Sequence, residues 1–494
     1  MYYLGIDLGS SSLKIALVEQ KTGVAIAQLK EPVEEMDILS LQEHWAEQDP
    51  EYWWELCCRG IQRILAETEI DSTDIKGIGI AYQMHGLVTI DQGGSTVRNA
   101  IIWCDSRAVE IGEEAYQKIG TAFCDRNFLN SPGNFTAAKL AWVKQNEPER
   151  YAKIHKIMLP GDFLAYRLSG EYTTTVTALS EGVFWNFPAH TLANEVNDQL
   201  GIDVDLFPTV VDNFTQQVHV NNAAAKATGL IQGTPILYRA GDQPNNALSL
   251  NVFNPGEVAA TAGTSGVVYA VTDQLEVNEA KRLNHFAHVN HQKGENRIGK
   301  LLCINGAGRQ YNWMRENLSV NSYEEMNTLA SSVAVGAEGL CVLPFGNGAE
   351  RMFGNRNLGS SILHLDLNRH NKAHLCRASL EGIAFAFAYG FSILQKDKVQ
   401  PKVIRTGNDN MFQSEIFSTT IATLLGIDIE IYETTGAIGA ARAAIHAQDK
   451  ALDFSFLIEK DYLKTITADS NLAPYSLAYN NWKKELETIL KTSQ

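Results

Sequence analysis

The stretch Tyr-Arg-Ala-Gly-Asp-Gln-Pro (238–244) sets one acid, Asp242, between Gly241 and Gln243. It follows the apolar run Pro235-Ile236-Leu237 and precedes an Ala/Leu pattern of helical spacing. A carboxylate at the end of a strand is well placed to take a proton from a bound hydroxyl. Asp is also favoured as a helix N-cap, and Pro244 would then stand in the first turn. The residues alone allow both roles. With the ordinary Asp pKa, Asp242 would be ionised at pH 7 and ready to act as a base.

Other residues offer phosphate chemistry. In Asp-Leu-Gly-Ser-Ser-Ser-Leu-Lys (7–14), a turn of Gly9, Ser10, Ser11 and Ser12 brings N–H groups and hydroxyls together, and Lys14 adds a positive charge. Asp7, at a strand end, is suited to hold Mg²⁺ through water. Thr-Ala-Gly-Thr-Ser-Gly (261–266) repeats the arrangement around Gly263 and Thr264. Gln83 and His85, in Ala-Tyr-Gln-Met-His-Gly (81–86), offer hydrogen bonds to hydroxyls while Met84 would pack a carbon face. Gly-Glu-Asn-Arg-Ile-Gly-Lys-Leu (294–301) has Walker A spacing as far as Lys300, but Leu301 stands where a Mg²⁺-binding Ser or Thr is required. It reads as a hairpin turn.

These groups need elements to hold them. Residues 2–9 and 12–23 read as strands, and 75–84 as a third. Residues 49–67 open with Asp-Pro and continue at helical spacing, so strands alternate with helices in an α/β domain. The pattern restarts at 256–273 with strand, Gly-Thr-Ser turn and strand, which echoes the opening hairpin. Two similarly built halves are expected, 1–250 and 251–494, facing each other across a cleft.

Composition narrows the classes. The 494 residues carry a formal charge of −16, which argues against a broad nucleic-acid surface. Seven cysteines without a Cys-x-x-Cys pair suggest a reducing compartment rather than a disulfide frame or zinc site. The start lacks a basic region followed by an apolar core, and the most apolar helical stretch, 380–394, is shorter than the roughly 20 residues that cross a bilayer. No membrane partner and a cytoplasmic location are expected.

The motifs together resemble the FGGY carbohydrate kinases over about residues 2–447. Gln83-Met84-His85-Gly86 is similar to the sugar loop of the xylulokinases in that family, and Trp-Cys-Asp-Ser-Arg (103–107) to their Trp-Asn-Asp-Gly-Arg. Phe-Thr-Ala-Ala-Lys-Leu-Ala-Trp-Val (135–143), Leu-Pro-Gly-Asp-Phe-Leu (159–164), Gly-Ala-Glu-Arg (348–351) and the helix at 374–385 resemble further family signatures in order. The family's Gly-Gly-Gly near adenine becomes Thr406-Gly407-Asn408.

The resemblance implies two actin-like, ribonuclease H-like α/β domains flanking a cleft. It implies transfer of the ATP γ-phosphate to a sugar hydroxyl, with Asp242 as catalytic base and ATP and Mg²⁺ as cofactors. Xylulose in pentose catabolism is the leading substrate, and another ketose, polyol or sugar acid the alternative. Substrate contacts would come from Gln83, Met84, His85, Trp103, Asp105 and Gln243, with Asn245 as a further choice. Nucleotide contacts would come from Asp7, Gly9, Ser11, Ser12, Lys14, Gly263, Thr264, Gly306, Gly407 and Asn408. A homodimer is implied as well. An actin-like nucleotide switch would use the same hairpins but would need neither the 83–85 loop nor Asp242.

Overall fold

The computed structural model describes residues 1–492. A six-stranded sheet runs in the order Val218–His219, Pro235–Gly241, Ile75–Tyr82, Tyr2–Leu8, Leu13–Glu19, Ala25–Glu31. Its first hairpin is antiparallel, with Asp7 opposite Lys14, whereas Tyr2–Leu8, Ile75–Tyr82 and Pro235–Gly241 run parallel. The parallel strands are apolar on both faces (Leu4, Ile6, Ile78, Ile80, Leu237 and Tyr238 are buried), as a sheet covered on both sides requires. Helix Pro50–Thr68 covers one face, capped by Asp49, whose side chain accepts from the Glu51 N–H.

The second sheet has seven strands in the order Asn284–Ala287, Ile298–Ile304, Gly266–Thr272, Glu257–Ala262, Val403–Gly407, Ile429–Tyr432, Tyr462–Ile466. Helix Lys372–Lys396 is buried along most of its length, as its apolar composition demands. Among the described residues no helix is long and apolar enough to cross a membrane. The Gly294 turn does lead into a strand, Ile298–Ile304, and Lys300 is fully buried there against Asp397 (2.8 Å). That lysine has no route to a phosphate.

Helix Gly436–Gln448 belongs to the second half of the chain but lies against the first sheet. Glycines make this possible. A Cβ on Gly5 would stand 1.8 Å from the Ala437 carbonyl oxygen, and one on Gly79 would stand 1.9 Å from that of Ala440. Backbone atoms at those distances cannot swing aside as a side chain tip could. Gly79→Ala is therefore expected to destabilise the protein by the roughly 1–3 kcal/mol typical of overpacking, or more. Chemical denaturation measures it; an unchanged midpoint would mean that the helix is free to lift off the sheet.

A buried ion pair fixes the strand that leads to Asp242. Arg239 lies 3.1 Å from Asp162 and also bonds Gln217 (2.8 Å) and the Thr173 hydroxyl (2.9 Å). Both charged groups are almost wholly buried, and such a pair persists because further hydrogen bonds satisfy it. The end of the strand is thus held in register with helix Pro160–Ser169.

Candidate functional site

Two cavities flank the turn of the second hairpin. The first, about 640 Å³, lies between the lobes and is lined by Met84, His85, Trp103, Asp242 and Gln243 from one side. Asn284, Cys303, Asn305 and Arg351 line it from the other, and Ser265 forms part of its wall. The second, about 680 Å³, is lined by Gly263, Gly308, Tyr311, Tyr323 and Asn410. Gly263 thus lines the second cavity and Ser265 the first, two positions apart on the same turn.

Asp242 is half-buried at the first cavity and opens helix Asp242–Ser249. The N-cap position belongs to Gly241 and carries no side-chain cap bond, so capping is not the role of Asp242. Nor is its pKa ordinary. Burial, then the negative charge of Asp7, push it up to about 7, while hydrogen bonding with Gln243 acts in the opposite direction. The expectation of a fully ionised acid at pH 7 is corrected accordingly: the group sits at its titration midpoint. Behind it, Glu181 is buried, and burial raises its carboxyl well above the usual range.

His85 adopts φ 61°, a left-handed conformation uncommon for a non-glycine residue, which marks a constrained loop. Its ring packs between Phe135 and Phe286, with centroids 4.8 and 5.1 Å away. Burial, then the charge of Lys139, push its pKa down to about 3, so the imidazole is neutral. Nδ1 lies 2.9 Å from the Glu181 carbonyl and must carry the proton to donate there. Nε2 is left as an acceptor, suited to a sugar hydroxyl.

Lys139 is fully buried beneath this loop and donates to the carbonyls of His85 (3.0 Å) and Ile102 (2.9 Å). One lysine, its pKa pushed down to about 7 chiefly by burial, thus ties together the loops that carry His85 and Trp103. Lys139→Met would leave the His85 carbonyl without its donor, at a cost of about 1–3 kcal/mol. The expected result is a sugar KM raised about 10- to 100-fold with the ATP KM within about twofold. Steady-state kinetics reads this, and equal changes in both constants would mean general loosening.

Three expected sugar contacts do not reach the cavity. Gln83 is buried and donates to Gln48 (3.0 Å), because its neighbours Met84 and His85 turn to the cavity while it points back into the lobe. Asp105 is fully buried, with both oxygens engaged by Arg107 and the Ala46 N–H, so no acceptor remains for a sugar. Asn245 is also buried and donates to the Gly436 carbonyl (2.9 Å).

On the phosphate side, Asp7 touches the cradle made by Gly436, where a Cβ would stand 2.5 Å from its carboxylate. Burial raises its pKa and the charge of Lys14 lowers it. Lys14 is exposed and acts also on Asp409 in the second lobe, so it lies between the lobes. Gly9 turns its N–H to the Ser12 carbonyl (2.9 Å); Ser12 is buried and Ser11 exposed. Of the second hairpin, Gly263 lines the nucleotide-sized cavity, and Thr264 is exposed beside it.

Three expected nucleotide contacts stand elsewhere. The Gly306 N–H is taken by Glu350 (3.0 Å), and a Cβ there would stand 1.6 Å from the Pro344 carbonyl, so this glycine serves a chain crossing. Asn408 donates its N–H to Tyr432 (2.8 Å) and its amide to Glu433 (3.0 Å). Gly407 packs beside Asp409. Neither lines the cavity, whereas Asn410 does. Sequence reasoning also missed Gly308 and the stacked pair Tyr311–Tyr323 (centroids 5.7 Å apart). The two-residue spacing of Gly306 and Gly308 at a helix start was the available signal.

Mg²⁺ fits this donor set. Asp7 and Asp242 are close enough for one charge to raise the other, and neither is neutralised by a buried cation. No group of three or more His, Cys, Asp or Glu gathers as a cage among the described residues. That suits Mg²⁺, which is held by one or two carboxylates, waters and substrate phosphates.

The model of the FGGY family of carbohydrate kinases, N-terminal domain, matches residues 2–249, and that of the C-terminal domain matches residues 258–448. The chain is 27% identical over 453 residues to a xylulose kinase of Bacillus subtilis, covering 90% of this chain and 87% of that one. It is 30% identical over 397 residues to a xylulose kinase of Staphylococcus epidermidis, covering 80% and 77%. The crystal structure of xylulose kinase from Rhodospirillum rubrum superposes with a TM-score of 0.89 at 22% identity, over 100% of both chains. The fold is thereby the actin-like pair of α/β domains.

Proposed function

The chain belongs to the FGGY family of carbohydrate kinases, and within that family we propose that it phosphorylates D-xylulose to D-xylulose 5-phosphate, with Asp242 as the base. The observation that carries the reading is the turn at 263–265, which puts Gly263 in one cavity and Ser265 in the other. A nucleotide in the Gly263/Gly308 cavity would extend its phosphates over this turn toward Asp242 and the sugar cavity. The Tyr311–Tyr323 stack offers a flat apolar face for the base.

Phosphoryl transfer asks the protein mainly for positioning and charge stabilisation. Met84 and Trp103 would pack the sugar's carbon face, and His85 Nε2 and Gln243 would hold hydroxyls. The Asp242 carboxylate accepts the terminal hydroxyl's proton as the oxygen bonds to the γ-phosphorus, and the bond from that phosphorus to the β–γ bridging oxygen breaks so that ADP leaves. Asp7 would hold Mg²⁺ through water, and the bound ion supplies positive charge to the phosphates. Lys14 and N–H groups of the two turns would add donors on the same side. Closure of the lobes would exclude water, the competing acceptor. The similarity of the two curated relatives favours xylulose over other sugars.

The test is a panel of ketoses, aldoses, polyols and sugar acids with coupled detection of ADP. D-Xylulose is expected to give the highest kcat/KM. A higher value for any other sugar would replace xylulose in this reading and leave the kinase assignment standing. A homodimer belongs to the same proposal, and analytical ultracentrifugation checks it.

A further inference from the structure

Arg351 brings an unbalanced positive charge to the sugar cavity. It lies on the short helical turn Arg351–Phe353 and lines the cavity with His85. Its Nη2 donates to the carbonyls of Ala280 (3.3 Å) and Leu283 (3.2 Å). Nε is buried without a partner, and Cys303 beside it is a neutral thiol, its pKa pushed up to about 11 chiefly by burial. The adjacent Glu350 is no counter-ion, because its oxygens take the N–H groups of Asn305 and Gly306 (both 3.0 Å). A half-buried guanidinium without a carboxylate costs stability, so a ligand oxygen is the natural complement.

The position within the cavity narrows which oxygen. Arg351 donates to the Leu283 carbonyl (3.2 Å), and three residues along that segment Phe286 packs on the His85 ring (5.1 Å). Arg351 and His85 thus stand together on the cavity wall, with Cys303 between Arg351 and Asp242, whose charges both bear on it. A guanidinium only donates hydrogen bonds, and the neutral His85 Nε2 only accepts them. A carbonyl oxygen beside a hydroxyl satisfies both at once. A polyol places a hydroxyl at each carbon and offers Arg351 a weaker acceptor. A carboxylate would be stronger still, because both partners are then charged.

We propose that Arg351 reads the carbonyl of the substrate and so makes the cleft select a ketose over the polyol of the same chain length. The inference rests on the kinase reading but not on the identity of the sugar. Arg351 is a specificity residue here, distinct from the groups on the phosphate side.

The experiment compares wild type, Arg351→Met and Arg351→Lys. Each is assayed with the best carbonyl-bearing sugar of the panel and with its reduced polyol, as substrate or as competitive inhibitor. Loss of a hydrogen bond to a charged group corresponds to about 10- to 100-fold in affinity. Arg351→Met should raise KM for the carbonyl sugar by that factor and change the polyol constant less than about threefold. Arg351→Lys, which keeps the charge, should recover part of the discrimination and serves if the Met variant does not fold. The aldonate of the same length should inhibit wild type more strongly than the polyol does.

Equal factors for ketose and polyol in the variants would overturn the proposal and leave Arg351 as a brace for residues 280–283. So would a wild type that prefers a polyol to every carbonyl or carboxylate sugar. A preference for a ketose other than xylulose would instead correct the substrate and leave the role of Arg351 intact.

Discussion

Asp242→Asn is expected to lower kcat by about 10²–10⁴-fold, the usual contribution of a general base, with little change in nucleotide affinity. Asn has the same shape, and the helix N-cap is Gly241, so no cap is lost. What disappears is the oxygen that takes the hydroxyl proton. The pH profile gives an independent check. A base with its pKa raised to about 7 must lose its proton to act, so wild-type kcat/KM should fall tenfold per unit below about pH 7. The variant should lack this limb.

Stability carries the opposite sign. Because the folded-state pKa is raised above the unfolded value, native Asp242 prefers the protonated form, and its unfavourable contribution grows as pH rises from about 4 through 7. Asp242→Asn should therefore be more stable than wild type at pH 8, and closer to it at pH 4. Near-normal turnover in the variant would dismiss Asp242 as the base.

Asp7→Asn should be the next most damaging change, lowering kcat by about 10²–10³-fold, the effect of removing one preorganised charge-stabilising group. The carboxylate fits tightly against Gly436, and Asn preserves the shape, so folding should survive. The Mg²⁺ concentration for half-maximal rate should rise. The acid limb of the profile should also move to lower pH, because the Asp7 charge is the second cause of the raised Asp242 pKa after burial. Kinetics at varied Mg²⁺ and pH reads both. An unchanged Mg²⁺ dependence would remove Asp7 from the metal site.

Much of this was legible in the sequence because the signals are local. A strand, a glycine and an acid before a helix pattern describe Asp242, and a small-residue turn between two strands describes residues 7–14 and 261–266. Met84 and His85 were legible as a pair, whereas Gln83 was not separable from them, since a loop's sequence does not say which side chain turns inward. Asp105 looked like a free polar residue, but Arg107 two positions on absorbs both of its oxygens.

The remainder depends on distant segments. Helix Gly436–Gln448 crosses to the first sheet through close contacts at Gly5 and Gly79, which no local pattern reveals. Arg351 reaches the sugar cavity from a segment more than a hundred residues beyond Asp242. The shift of Asp242 toward neutral pH likewise arises from burial and from Asp7, which are properties of the assembled cleft.

The most direct measurement is the initial rate of ADP formation from MgATP before and after D-xylulose is added. A xylulose kinase should release ADP at least about a hundredfold faster with the sugar, and should form one sugar phosphate per ADP, because attack by a positioned hydroxyl replaces slow hydrolysis. An ADP rate that is the same with and without xylulose would contradict the account.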